Sequence, residues 1–316
     1  MEKTIARREF LQTVAGGALA GAGLGAGLST GAPLAHAASA DLNADSKKMP
    51  RLLAGCCAYS YREQLSSGQM TYEDFILKAV ELGLDAVDMT VYYFKSTDPG
   101  YLDSLRHLAY KNAVAFSGAA CNATMVKADA AKRAEVLGQI RKWVDVTDRL
   151  GASHLRIFAG DLPPGVTLQQ ATDWTVETMK AACDYSAEKG IMLGIEDHGN
   201  VASSADVCLE IMQRVNSPYA GINLDITHFT RATSAEEAYA EIAACLPYAT
   251  VSHIRDRWDD GKPLDMDRVW KLYAEAGHKG YMSVEYSPEE AGEPATTGAP
   301  KLIAKTRELC RKYSSV

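Results

Sequence analysis

The sequence predicts a single-domain α/β fold, a (β/α)8 TIM barrel, and three observations carry that prediction. Strand-like apolar runs alternate with helix-periodic stretches eight times over. Gly83, Gly151, Gly190 and Gly277 each follow a periodic stretch and precede a strand, which is where a helix stop belongs. Glu196, Asp225, His253 and Glu285 stand near the ends of four successive runs, at separations of 29, 28 and 32 residues, about one strand-plus-helix unit each.

In order, the strands are expected at 52–59, 84–91, 114–119, 153–159, 191–196, 220–225, 249–254 and 281–286. The helices are expected at 71–82, 99–111, 129–150, 167–189, 204–215, 234–246, 265–276 and 300–313. Thr71, Thr167, Ser204 and Ser234 are predicted N-caps, and Ser234 with Glu237 has the spacing of a capping box. A doubly wound open sheet fits less well, since it usually has fewer strands and a Gly-rich phosphate loop that this chain lacks.

The N-terminus reads as an address. Arg7-Arg8-Glu9-Phe10-Leu11-Gln12 is a twin-arginine motif, an apolar stretch runs from Val14 to Leu28, and Ala35-His36-Ala37 offers a small-x-small cleavage site. The apolar stretch is too short and glycine-rich for a stable membrane span. Residues 1–37 are therefore expected to be a signal peptide, 38–50 a polar lead-in, and 51–316 the barrel. Export of this kind carries proteins that have already folded in the cytoplasm. The expected destination is periplasmic or otherwise extracytoplasmic. Loss of the leader moves the formal charge from −7 to −8. An acidic chain without a basic stripe is a poor partner for nucleic acid. The seven cysteines are odd in number and irregularly spaced, so buried free thiols are expected rather than a disulfide framework.

Strand alternation places the side chains. Glu196 shares a face with His198 while Asp197 points away; Asn223 shares one with Asp225; His253 shares one with Arg255 and Arg257; and Ser283 and Ser287 share one with Glu285. Charges on an inward face are costly inside a packed barrel. At the carboxyl-end mouth a metal or substrate can pair them. Three carboxylates and an imidazole make a cage for one divalent ion, and the mixed oxygen and nitrogen set leans toward Mn²⁺, with Mg²⁺, Co²⁺ and Zn²⁺ as alternatives. Arg156 is expected to bind a substrate oxygen or make a structural pair, and His198 to contact substrate or support the ligands. His154 is expected in the core, and His107 and His278 in solvent. Tyr59, Tyr61, Tyr92, Tyr93 and Phe94 follow strands one and two, and are candidates for stacking on the face of a substrate or for packing as the barrel's lid. Asp259-Asp260-Gly261 reads as a turn.

The segments Ile-Glu-Asp-His-Gly, Asn-Leu-Asp-Ile-Thr-His, Ser-His-Ile-Arg-Asp and Ser-Val-Glu-Tyr resemble the xylose isomerase-like barrel family, over about 52–312. The resemblance to its ketose 3-epimerase branch implies one divalent metal held by Glu196, Asp225, His253 and Glu285. It also implies substrate binding by His228 and by Arg255 or Arg257, and a homo-oligomer as one option. Asp197 departs from the Asn that relatives often carry, and because it faces away from the mouth little effect on chemistry is expected.

The expected activity is a metal-dependent isomerase or epimerase acting on a non-phosphorylated keto-sugar through an enediolate. Glu196 and Glu285 are the acid/base pair, approaching opposite faces of the sugar. The alternative is a lyase or dehydratase working by β-elimination on a 3-keto-glycoside or keto-sugar. A non-catalytic sugar-binding barrel fits less well, because both glutamates are present. A DNA-repair phosphodiesterase of the same fold would need more His and Asp ligands and a basic face.

Overall fold

The computed structural model describes residues 49–229 and 231–315. The expected signal peptide and nearly all of the lead-in lie outside the described residues. Eight parallel strands close into one barrel in sequence order. They are β1 (Arg51–Cys57), β2 (Ala86–Thr90), β3 (Ala115–Thr124), β4 (His154–Phe158), β5 (Met192–Glu196), β6 (Ala220–Asp225), β7 (Ala249–Ile254) and β8 (Lys279–Val284). Closure comes from β1 pairing with β8, from Arg51 opposite Lys279 to Cys56 opposite Val284. A helix follows each strand: α1 (Tyr72–Glu81), α2 (Pro99–Lys111), α3 (Ala130–Leu150), α4 (Leu168–Ala187), α5 (Ala205–Val215), α6 (Ala235–Cys245), α7 (Met266–Glu275) and α8 (Ala295–Tyr313). Short helices at Arg62–Ser66 and Pro288–Ala291 sit in the loops after β1 and β8.

Local chemistry explains the boundaries. The four predicted stops, Gly83, Gly151, Gly190 and Gly277, all have positive φ, a conformation costly for any residue with a Cβ. Thr71 caps α1 in a full capping box with Asp74, and Thr167 caps α4 in one with Gln170. At α6 only half of the expected box forms. Ser234 accepts from the Glu237 amide, but the Glu237 carboxylate turns to the backbone and hydroxyl of Thr233. Ser204 makes no side-chain cap; the Glu241 carboxylate accepts from the Ala205 amide instead. α8 starts five residues before its predicted 300, with Pro300 inside its first turns.

Each helix lays an apolar stripe on the barrel. In α7 the buried residues Met266, Val269, Trp270 and Tyr273 recur at helical spacing. Burying such side chains contributes about 1.5–3 kcal/mol each. Inside the barrel, His154 fills a layer made roomy by glycines on both neighbouring strands. A Cβ at Gly194 would lie 2.3 Å from its Nε2, and one at Gly118 would lie 2.8 Å from its Nδ1. His154 Nε2 meets Thr250 Oγ1 at 2.9 Å. All seven cysteines are buried and free. Among the described residues no helix is long and apolar enough to cross a membrane.

His278 departs from its expected place in solvent. It is 8% exposed, packed edge-on against Tyr273 at the start of β8. Burial, then the Lys279 charge, pushes its imidazole down to about 4. The unfolded chain therefore binds a proton that the folded chain refuses between about pH 6.5 and 4, so stability falls as pH drops through that window. The slope from His278 amounts to about 3 kcal/mol across it. His278→Leu is expected to flatten the acid limb in urea titrations across that range; an unchanged slope would show that His278 is protonated in the fold.

Candidate metal centre

The strand ends carry the chemistry to one mouth. Glu196 ends β5 opposite Phe158 of β4, Asp225 ends β6 opposite His253 of β7, and Glu285 is the first residue beyond β8, its amide donating to Ile254. All four are at least 94% buried. His253 Nδ1 lies 3.3 Å from Glu196 Oε1 and 3.0 Å from Glu285 Oε2. The donors fall into two trios sharing Glu196. Glu196, His253 and Glu285 form one, and Glu196, Asp225 and His228 the other, with the ligand atoms of each trio within 4.8 Å of one another. Asp225 is thus set to one side, where its Oδ1 accepts from the amide and hydroxyl of Thr227, at 3.0 and 2.8 Å.

Two arginines hold the acids. Arg156 on β4 is buried, stacked 4.0 Å over the Phe158 ring, with Nε 3.0 Å from Glu196 Oε2. That approach is off the line of a hydrogen bond, so neither atom has a hydrogen-bond partner among the described residues. Arg255 donates to Asp225 Oδ2 at 3.0 Å, Glu285 Oε1 at 2.7 Å and Glu290 Oε1 at 2.9 Å. Burial alone would raise both glutamates. Arg156 and His253 outweigh it and bring Glu196 down to about 2, while His253 and Arg255 hold Glu285 well below the ordinary range. Both are carboxylates at neutral pH. Burial would likewise lower His253, but Glu285 and the Asp88 contact outweigh it and raise the imidazole well above its ordinary value.

This donor set fits a hard divalent ion. Glu196 and Glu285 close on His253 Nδ1 with Asp225 to one side, and an incoming cation would displace the proton that these carboxylates favour on the imidazole. Glu196 Oε2 and His228 Nδ1 remain without hydrogen-bond partners among the described residues.

Sequence reasoning missed Asp88. It lies in the middle of β2, 1% exposed, with Oδ2 3.0 Å from His253 Nε2. A carboxylate behind a ligating imidazole fixes its ring and its proton on the far nitrogen, leaving Nδ1 toward the mouth. The signal was an acid within Ala-Val-Asp-Met-Thr, but nothing local says which strand it serves. Asp88→Ala is expected to weaken divalent-metal binding about 10–100-fold, measured by titration calorimetry; unchanged affinity would show that the contact is structural only.

The other predicted residues divide. His228 accepts from Arg255 through Nε2 at 3.4 Å, which leaves Nδ1 as the donor, 3.9 Å from Glu196 Oε1. His198 packs between His228 and Phe158, 5.0 Å from each ring centre. Both histidines line a mouth cavity of about 640 Å³ with Tyr59, Tyr92, Arg156 and Arg255. Tyr61 is core, packed on Phe75, and Phe94 packs on Tyr72. Arg257 is not brought into the mouth. It bridges to Pro263 and donates to the Gly261 carbonyl, because β7 ends at Ile254 and alternation no longer governs the chain beyond it. Asp197 faces away as expected, but its Oδ1 accepts from the Asp225 amide at 2.7 Å. Burial, then the neighbouring Asp225 charge, raises it well above its ordinary value, which favours the neutral carboxyl, a near match in shape for Asn.

Comparison with known proteins agrees with this architecture. A family model described as "Xylose isomerase-like TIM barrel" matches residues 76–313. No curated protein matches the sequence. Among solved structures, D-allulose 3-epimerase from Methylomonas sp. in complex with D-allulose is 19% identical, with a TM-score of 0.66 over 84% of this chain and 98% of that one. The IolI protein with a bound zinc atom is 18% identical, with a TM-score of 0.65 over 84% of this chain and 100% of that one. The probable 3-DHS dehydratase AsbF from Bacillus anthracis is 14% identical, with a TM-score of 0.61 over 81% of this chain and 98% of that one. At these identities the likeness speaks for the fold alone. On the match across most of its length and the closed eight-stranded barrel, the chain belongs to the xylose isomerase-like TIM barrel family.

Proposed function

We propose that the protein is a divalent-metal-dependent isomerase or epimerase of a non-phosphorylated keto-sugar, working through an enediolate. The observation that carries this reading is the pair of buried carboxylates, Glu196 and Glu285, meeting at His253 Nδ1 from β5 and β8. Glu196, Asp225, His253 and Glu285 would hold the ion, with Mn²⁺ favoured over Mg²⁺, Co²⁺ and Zn²⁺. When bound, the ion supplies Lewis-acid stabilisation of the negative oxygen that develops as a proton leaves the neighbouring carbon.

The chain's own groups do the rest. Either glutamate can accept the proton next to the carbonyl, since both rest ionised. Its partner must gain a proton from solvent or a substrate hydroxyl before returning one from the opposite side. His228 offers Nδ1–H to a substrate oxygen, and Tyr59 and Tyr92 line the cavity with apolar surface for the sugar's C–H face. Arg156 and Arg255 keep the acids in place.

The solved structures support a sugar or a related polyol as substrate: one is a D-allulose 3-epimerase holding D-allulose, and another is a probable dehydratase. The second reading is therefore a lyase or dehydratase, in which the same proton removal is followed by loss of an oxygen from the next carbon. Twin-arginine export to the periplasm, proposed from Arg7-Arg8, suits unphosphorylated substrates. Product analysis decides between the two. The metal-loaded protein would be incubated with free ketoses and 3-keto-glycosides, and the products read by NMR. A C3 epimer or aldose–ketose isomer supports the first reading and an unsaturated product the second. Metal binding without turnover of any of these would leave a sugar-binding barrel.

A further inference from the structure

We infer that the substrate is a ketose bearing a second, uncharged sugar unit, whose outer ring lies on Trp258; this rests on the keto-sugar reading above. Between the loops after β6 and β7 lies a second cavity of about 550 Å³. It is lined by Thr227, Phe229, Trp258, Asp259, Lys262 and Pro263 among others. One residue joins it to the mouth: Asp259 lines both cavities. Thr227, in the lining of the second cavity, donates its hydroxyl to the candidate ligand Asp225. A ring bound at the metal centre therefore has its neighbouring unit within reach of the second cavity, whereas a free hexose would leave that cavity to water.

The lining suits a neutral sugar. The turn from Arg257 to Pro263 holds Trp258 in place: its amide donates to the Lys262 carbonyl at 2.9 Å, and Arg257 bridges to Pro263. Tyr239 packs edge-on against the indole at 5.4 Å. Tyr239 is itself fixed, by Arg268 3.9 Å over its ring and by accepting from the Asp265 amide. An aromatic ring fixed before binding loses little freedom when a sugar's C–H face stacks on it. Asp259 makes no hydrogen bond or ion pair among the described residues, so its carboxylate is left to accept from a hydroxyl at the junction of the two units. Lys262 pairs with Asp260 at 2.6 Å. With that cation neutralised and Asp259 facing both cavities, an anionic unit such as a phosphate is disfavoured.

The test compares fructose with two of its glycosylated forms, lactulose and isomaltulose, on the metal-loaded protein. Binding is read by calorimetry and by saturation transfer from indole protons. Wild type is expected to bind at least one disaccharide about tenfold more tightly than fructose, with transfer to its outer ring. Trp258→Ala is expected to erase that preference and Trp258→Phe to keep most of it. Equal affinity for fructose and both disaccharides, or no transfer to an outer ring, would overturn the inference. So would an equal loss for all three sugars in Trp258→Ala, or a change in sedimentation alone. Deuterium exchange next to the carbonyl separates this from the chemistry. A Trp258-dependent preference without exchange supports the subsite and sinks the enediolate reading; exchange with fructose and no preference does the reverse.

Discussion

Glu285→Gln is expected to slow turnover by about 10²–10⁴-fold while the barrel stays folded. The substitution keeps the shape and the oxygen that accepts from Arg255 Nη2 at 2.7 Å, but removes the negative charge that takes up a proton. It also removes an anionic donor 3.0 Å from His253 Nδ1, so metal affinity should fall with it. The two losses separate on titration with metal. A defect that disappears at saturating metal would mean that Glu285 is a ligand only. A kcat defect that persists there, with a melting temperature near that of wild type, identifies it as the acid/base group.

Arg255→Met should destabilise the metal-free protein by about 3–5 kcal/mol. Arg255 is the shared counter-charge of Asp225, Glu285 and Glu290, with its side chain 12% exposed. Removing it leaves buried Asp225 without its guanidinium and Glu285 with His253 as its remaining partner. A divalent ion would supply much of the missing charge. The variant should therefore gain more in melting temperature from Mn²⁺ than wild type does, with both measured against a chelator-treated control. An equal gain in the two proteins would show that Arg255 and the ion do not answer to the same carboxylates.

Much of this architecture was legible in the sequence because its signals are local. Glycine stops, Thr71 and Thr167 caps and apolar periodicity are set by neighbours a few residues away, and the eight strands fall within a few residues of their predicted places. The regular spacing of Glu196, Asp225, His253 and Glu285 was visible because the last four strands, which begin at Met192, Ala220, Ala249 and Lys279, are evenly spaced. Contacts between distant strands were not visible. Asp88 serves His253 across 165 residues of sequence, and Arg255 reaches Glu290 on a short helix that no period announced. His278 was misplaced because a helix end looks solvated until Tyr273 is seen to cover it. Arg257 was misplaced because strand alternation was carried past the end of β7.

Glu196 and Glu285 are proposed to remove and return a proton beside a carbonyl. The most direct measurement is NMR in D₂O on the Mn²⁺-loaded protein with free ketoses and 3-keto-glycosides, beside Glu285→Gln. The expected result is deuterium entering at the carbon next to the carbonyl in wild type and lost in the variant, because a resting pair of carboxylates must draw the returned proton from exchangeable positions. Substrate converted with its original hydrogen retained, or exchange that is undiminished in Glu285→Gln, would contradict it.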